Sequence, residues 1–196
     1  MENVTKKERN TALQTDGRSM STRTLVSLGM LGAISIVLAS LVHFPLMPAA
    51  PFLEYDPADI PILIGTFAFG AIPGLVLTIV VSIIQGMTVS AGSGYIGIIM
   101  HVVATGAFVL SAGMIYQRNK TVKTAMFAVA VGVIAQTIAM VGMNLILTPI
   151  FMGTAVEVVI GMLVPIIIPF NLMKAGINGI LTFVLYKKIS AVLRLK

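Results

Sequence analysis

The run MLVPIIIPFNLMKAGINGILTFVLY, residues 162–186, holds a single charged residue, Lys174, and ends against Lys187 and Lys188. A helix rises about 1.5 Å per residue and a bilayer core is about 30 Å thick, so this stretch is long enough to cross one. The rest of the chain has the same character: of 196 residues, 57% are hydrophobic and 10% are charged. Soluble domains carry about a quarter charged residues. Such a composition excludes a disordered chain and a nucleic-acid binder resting on a basic surface. The apolar stretches run on without alternation, which argues against a transmembrane barrel. At about 20 residues per span plus short loops, the chain holds about six helices. Cysteine is absent and there are two histidines, which removes disulfides, thiolate sites, cysteine nucleophiles and histidine-rich metal sites. The expected fold class is therefore an all-α integral membrane protein, a six-helix bundle with the lipid bilayer as its solvent.

The position of the charges says more than their sum of +6. Lys6, Lys7, Arg9, Arg18 and Arg23 lie near the N-terminus, Arg118, Lys120 and Lys123 in one mid-chain break, and Lys187, Lys188, Arg194 and Lys196 at the end. Placing all three clusters on the cytoplasmic side orients the bundle. It predicts helices over about Thr22–His43, Ala58–Phe69, Leu75–Val89, Tyr95–Tyr116, Val122–Leu147 and from about Met162 to near Ser190. Gly70–Gly74 becomes a tight cytoplasmic turn, and Ser90–Gly94 an outer one. Thr148, Pro149 and Glu157 fall in an outer segment, and Phe44–Pro57 forms a long first outer loop. Both termini are then cytoplasmic, with a polar tail over residues 1–21, a transmembrane domain over 22–190 and a short tail over 191–196. The second helix is short for a bilayer at about 18 Å, so it must be tilted, extended or shielded by its neighbours.

Several strings invite chemistry and do not sustain it. Gly92-x-Gly94-x-x-Gly97 matches a dinucleotide fingerprint but follows a membrane span rather than a parallel strand. Without a Walker A pair, any ATP must be bound by another subunit. Ser93 and His101 lie about 12 Å apart along a helix, too far for a nucleophile–base contact. His101 reads first as a packing residue, with a cavity role second; His43 reads as interfacial and Gln136 as a packing residue.

Lys174 is the informative exception, because a lysine inside an apolar span costs about 2.5–3.5 kcal/mol on insertion scales. Asn171 lies three residues before it and Asn178 four after, on one helical face. Pro165 and Pro169 upstream free backbone carbonyls. The six-helix topology puts no acid at membrane depth, so Lys174 is expected to lack a carboxylate partner unless the outer loop folds inward. Two readings stand: interhelical hydrogen bonding with snorkelling, or an outward-opening ligand cavity. Gln85 and Asn144 sit at compatible depth and divide between packing and ligand contact. Glu54, Tyr55, Asp56 and Asp59 lie on the proline-rich first loop, whose length suits a lid as well as a solvated acidic surface. On the first helix, Gly29 and Ala33, with Gly32 beside them, allow close approach of another helix.

The segments Phe52–Gly65 (FLEYDPADIPILIG), Thr66–Gly74 (TFAFGAIPG) and Ile168–Lys174 (IPFNLMK), the last leading into Tyr186-Lys187-Lys188, carry a resemblance. The chain resembles the substrate-binding (S) components of energy-coupling factor vitamin transporters, most of all the riboflavin-specific ones, over residues 22–190. The resemblance implies a riboflavin binder whose ligand is held by the last helices and covered by the first loop. Asn171 and Lys174 would then hydrogen-bond the flavin or its ribityl chain, with Asn144 a further carry-over; Gln85, by its depth, and Glu54, Tyr55 and Asp56, by their place on the covering loop, join them as candidate ligand contacts. It also implies partners: a transmembrane coupling subunit, which would dock at Gly29 and Ala33, and two cytosolic ATPases. In the family's pattern an alanine stands at the position of Gly29. The implied protein sits in a prokaryotic cell membrane, has no cofactor of its own and is not an enzyme. It would reorient as a whole bundle on the coupling subunit. Riboflavin suits the residues, being neutral overall, with an apolar ring, carbonyl edges and a hydroxylated tail. Open alternatives are an S component for another vitamin and a structural membrane protein.

Overall fold

The computed structural model describes residues 20–193, with side chains through Tyr186. The expected tails lie largely outside the described residues. Ser21 is described, and its Oγ accepts from the backbone N–H of Thr24 at 3.2 Å, capping the first helix. Among the described residues seven α-helices follow: α1 Thr22–Leu41, α2 Asp59–Phe69, α3 Ala71–Met87, α4 Gly94–Arg118, α5 Val122–Met152, α6 Val156–Met162 and α7 Ile168–Leu193. Between α1 and α2, β1 (Phe44–Pro45) and β2 (Glu54–Tyr55) form a small antiparallel ladder, Phe44 opposite Tyr55 and Pro45 opposite Glu54. Among the described residues four stretches are long and apolar enough to cross a membrane: Thr22–Leu41, Ala91–Arg118, Val122–Met152 and Val156–Tyr186; α2 and α3 are shorter apolar helices.

Helix α1 is apolar on every side, yet it buries one stripe, Leu28, Leu31, Ser35 and Ala39, at the helical spacing. Its other faces expose Leu25, Val26, Met30, Ile34 and Val37. The short α2 lies in the middle, every residue from Asp59 to Phe67 buried. Eleven residues reach only about 16 Å, and the shortfall is harmless because protein rather than lipid surrounds them. Ile62, Leu63 and Phe67 of α2 meet Leu28 and Leu31 of α1, Leu77 and Val81 of α3, Phe108 and Val109 of α4, and Ala175 of α7. Phe67 also meets the rings of Tyr116 and Tyr186, centroids 5.0 and 5.7 Å away.

Several boundaries differ from the sequence expectation, each for a backbone reason. Residues 70–74 are not a turn: only Gly70 breaks the path, at φ 110°, and α3 begins at Ala71. Pro73 falls in the first turn of α3, where no intrahelical donor is lost. Helix α5 runs through Pro149 and stops at Gly153, whose left-handed φ of 63° ends it. The last helical path opens at Val156 rather than Met162, and passes through a π-helical turn, Leu163–Ile167, containing Pro165. Proline has no N–H to give the ladder, and the wider turn absorbs that loss.

Close helix approach rests on small residues. A Cβ added at Gly113 of α4 would stand 2.9 Å from Ala71 Cβ and from Thr66 Cγ2, whereas one at Gly142 would meet nothing within 4 Å. Gly113→Val is therefore expected to cost about 1–3 kcal/mol of stability by overpacking, and Gly142→Val about 0.5 kcal/mol or less. Thermal unfolding in detergent checks both; equal losses would mean that the α3–α4 contact is not tight.

Candidate functional site

A cavity opens at the end of the bundle where the 42–58 segment sits, with about 160 Å³ of room for the centres of water-sized molecules. One wall comes from α3 and α4 with the turn between them, and bears Ser82, Gln85, Ser93 and His101. The facing wall comes from α5 and α7, and bears Gln136, Asn144, Thr148, Phe170, Asn171 and Lys174. His43, Phe52, Leu53, Glu54 and Asp56 of the 42–58 segment complete the lining.

That segment is folded rather than open. Turns close with Ala50 N–H donating to Met47 C=O at 3.0 Å and Leu53 N–H to Ala50 C=O at 2.9 Å. Ala50 and Leu53 then pack on Val159, Ile167 and Phe170. The packing turns the acidic residues inward and so meets the one condition under which Lys174 finds a carboxylate. Its Nζ donates to Asp56 Oδ2 at 2.8 Å and to the Glu54 carbonyl at 3.3 Å. The two side chains are only 15% and 5% exposed. Asp56 Oδ1 also accepts from the N–H of Ala58 at 3.1 Å. Burial alone would raise the Asp56 carboxyl, but the adjacent Lys174 ammonium outweighs it and holds the group below its ordinary range. Tyr55 goes the other way: burial, then the Asp56 charge, raises its phenol above the usual 10.0.

The polar stripe on α7 divides its work. Asn178, fully buried, donates from Nδ2 to the Asp56 carbonyl at 3.2 Å and to Asp59 Oδ2 at 3.1 Å, and accepts from Tyr55 Oη at 3.0 Å. It ties the 42–58 segment and α2 to α7. Tyr55 is thus engaged with Asn178 and does not line the cavity, whereas Glu54 and Asp56 do. Asn171 donates from Nδ2 to the Ile167 carbonyl of the π-helical turn at 2.8 Å. Asn144 donates to the Met140 carbonyl and accepts from Thr148 Oγ1, both at 2.8 Å. Gln85 is 5% exposed, and its Oε1 has no hydrogen-bond partner in the structure. A buried amide end left unmet costs about 1–3 kcal/mol.

A second cluster escaped the sequence reading. Asp59, named with the acids of the outer loop though inside the helix expected over Ala58–Phe69, is the first residue of α2 and 2% exposed. Its Oδ1 accepts from Thr105 Oγ1 at 2.7 Å and lies 3.0 Å from His101 Nε2. His101 Nδ1 is 3.2 Å from Ser82 Oγ, which donates to the Thr78 carbonyl at 2.6 Å. His101 therefore faces the cavity, and its hydroxyl neighbour is Ser82 rather than Ser93. Gln136 also reaches the cavity, where packing alone was expected. The missed signal was the position of Asp59 at the head of an apolar helix too short to face lipid. At the rim, His43 Nε2 and Glu54 Oε2 stand 2.6 Å apart across the small ladder. Among the described residues, no three histidine or carboxylate side chains gather to hold a metal ion.

A Cβ at Gly29 would meet nothing within 4 Å, and Ala33 is exposed, so this pair faces away from the bundle. Gly32 faces inward, where its Cβ would lie 3.2 Å from Leu77 Cδ1.

Comparison with known proteins agrees along the whole cavity-forming region. The family model "ECF transporter, substrate-specific component" matches residues 23–186. Riboflavin transporter RibU of Streptococcus thermophilus is 30% identical, over 88% of this chain and 85% of its own length. RibU of Staphylococcus aureus is 28% identical, over 87% and 92%. Riboflavin transporter FmnP of Bacillus subtilis is 23% identical, over 87% and 93%. A solved structure of the S component of a bacterial ECF transporter superimposes with a TM-score of 0.75 at 28% identity, covering 89% of this chain and 99% of that one.

Proposed function

We propose, from the premise that the chain belongs to the substrate-specific components of energy-coupling factor (ECF) transporters, that it binds riboflavin and serves riboflavin uptake as the substrate-specific subunit. The chain is a multi-pass membrane protein of a transporter family rather than of an enzyme family. The observation that carries the ligand assignment is the lined cavity. It pairs apolar Phe52, Leu53, Phe151 and Phe170 with the amides of Gln85, Asn144 and Asn171 and the ammonium of Lys174. Riboflavin needs an apolar slot for its ring, and donors and acceptors for its carbonyls and hydroxyls. Lys174 has three N–H bonds to give and spends two on the loop, which leaves one for a ligand acceptor. Glu54 and Asp56 complete the rim, while Tyr55 acts by holding Asn178.

In this reading α1 to α5 make five crossings and α6 with α7 the sixth. Both termini are then cytoplasmic, and the 42–58 segment is a lid on the outer side of a prokaryotic cell membrane. The bundle needs no cofactor and performs no catalysis. A transmembrane coupling subunit docks along the outward Gly29–Ala33 face, and two cytosolic ATPases supply the energy. The test is a fluorescence-quenching titration of the purified chain with riboflavin and with its phosphate ester, on wild type and Asn171→Ala. Saturable quenching by riboflavin is expected, weakened about tenfold by Asn171→Ala, the range for one lost hydrogen bond. Equal affinity in both forms would remove Asn171 from the site, and no quenching at all would refute riboflavin as ligand.

A further inference from the structure

The cavity has two unlike polar walls, and their hydrogen-bond capacities differ. On the α5–α7 wall the charged group is a donor. Lys174 offers an ammonium N–H, while Asn144 has both amide ends engaged and Asn171 its Nδ2. On the α3–α4 wall two hydroxyl protons are spent elsewhere: Ser82 donates to the Thr78 carbonyl and Thr105 to Asp59. Gln85 stands on that wall with Oε1 lacking any partner. Behind it, Ser82, His101 and Asp59 are linked in a chain of contacts of 3.2 and 3.0 Å.

From these capacities we infer that Gln85, on the wall backed by Ser82, His101 and Asp59, receives the hydroxylated side chain of the ligand, leaving the carbonyl edge of its ring to Lys174 and Asn171. This rests on riboflavin being the ligand. A hydroxyl both donates and accepts, so it satisfies either end of the Gln85 amide, whichever way that amide is turned. The carbonyls of the ring only accept, and match the Lys174 ammonium at the other wall. The phenyl rings of Phe170 and Phe151 lie on the α5–α7 side, the side where a fused ring needs apolar surface.

The proposal separates the two halves of the ligand, and so does its test. Purified full-length chain is titrated with riboflavin and with lumiflavin, which keeps the ring but carries no hydroxylated chain. In Gln85→Met, riboflavin affinity is expected to fall about tenfold, one hydrogen-bonded group's worth, while lumiflavin affinity changes by less than about twofold. Parallel weakening of both ligands, or no change in either, overturns the assignment. Should Gln85→Met fail to fold, Gln85→Asn decides, since it keeps the amide and shortens its reach. Selective weakening of riboflavin in that variant upholds the assignment, and parallel weakening overturns it. Failure of wild type to bind riboflavin while binding lumiflavin also overturns it. Failure to bind either flavin refutes the ligand itself, and this inference with it.

Discussion

Asp56→Ala is expected to destabilise the folded chain by about 3–5 kcal/mol, read as a lower unfolding midpoint in detergent. The substitution leaves the Lys174 ammonium, 15% exposed, with the Glu54 carbonyl at 3.3 Å as its remaining partner. Losing one member of a buried pair costs far more than losing both, because the survivor stays charged and desolvated. Asp56→Leu combined with Lys174→Met should therefore recover most of the loss. A double variant no more stable than Asp56→Ala would show that the ion pair is not the cause.

The pH dependence has a definite sign. The folded Asp56 carboxyl is held below its unfolded value of about 3.9. Its contribution is full above that unfolded value and disappears as pH falls through the lower, folded one. Wild type should keep its advantage over Asp56→Ala from about pH 5 to 8 and lose it progressively below about pH 4. An advantage that vanished near neutrality would contradict the pairing.

Lys174→Met is expected to weaken riboflavin binding about 100-fold, measured by the same quenching titration at a temperature below the unfolding midpoint. One hydrogen bond to a charged donor accounts for about 1.5–3 kcal/mol, or about 10- to 150-fold in affinity. The upper part of that range is expected because Lys174 also anchors Asp56 and the Glu54 carbonyl, so the lid loses its hold when the ligand does. Affinity within about threefold of wild type would take Lys174 out of the ligand site.

Membrane residence and the importance of Lys174 were legible because both depend on local composition: a charge is conspicuous in an apolar run. The partner of Lys174 was not legible. Asp56 is 118 positions away, and whether a proline-rich loop folds inward depends on Ala50 and Leu53 finding Val159 and Phe170, a long-range match with no periodic signature. Asp59 and His101 were unpaired for the same reason. Boundaries failed at the Gly70–Gly74 turn and at the outer segment from Thr148, where Pro73 and Pro149 are tolerated inside helices. The likeness to a transporter family reached the function through the string around Asn171 and Lys174, while the opposite wall, with Gln85 and His101, had no comparable marker.

The central place of α2 has a consequence for how the chain is put together. A helix this short cannot rest in a bilayer by itself, and the carboxylates at its head, Asp56 and Asp59, draw the Lys174 ammonium and the Asn178 amide from α7, which is synthesised more than a hundred residues later. Until α7 arrives, Asp56 lacks its cation, whereas Asp59 already has Thr105 and His101 of α4 within reach. The order of translation thus makes α7 a keystone: a part made late completes the part that sits deepest.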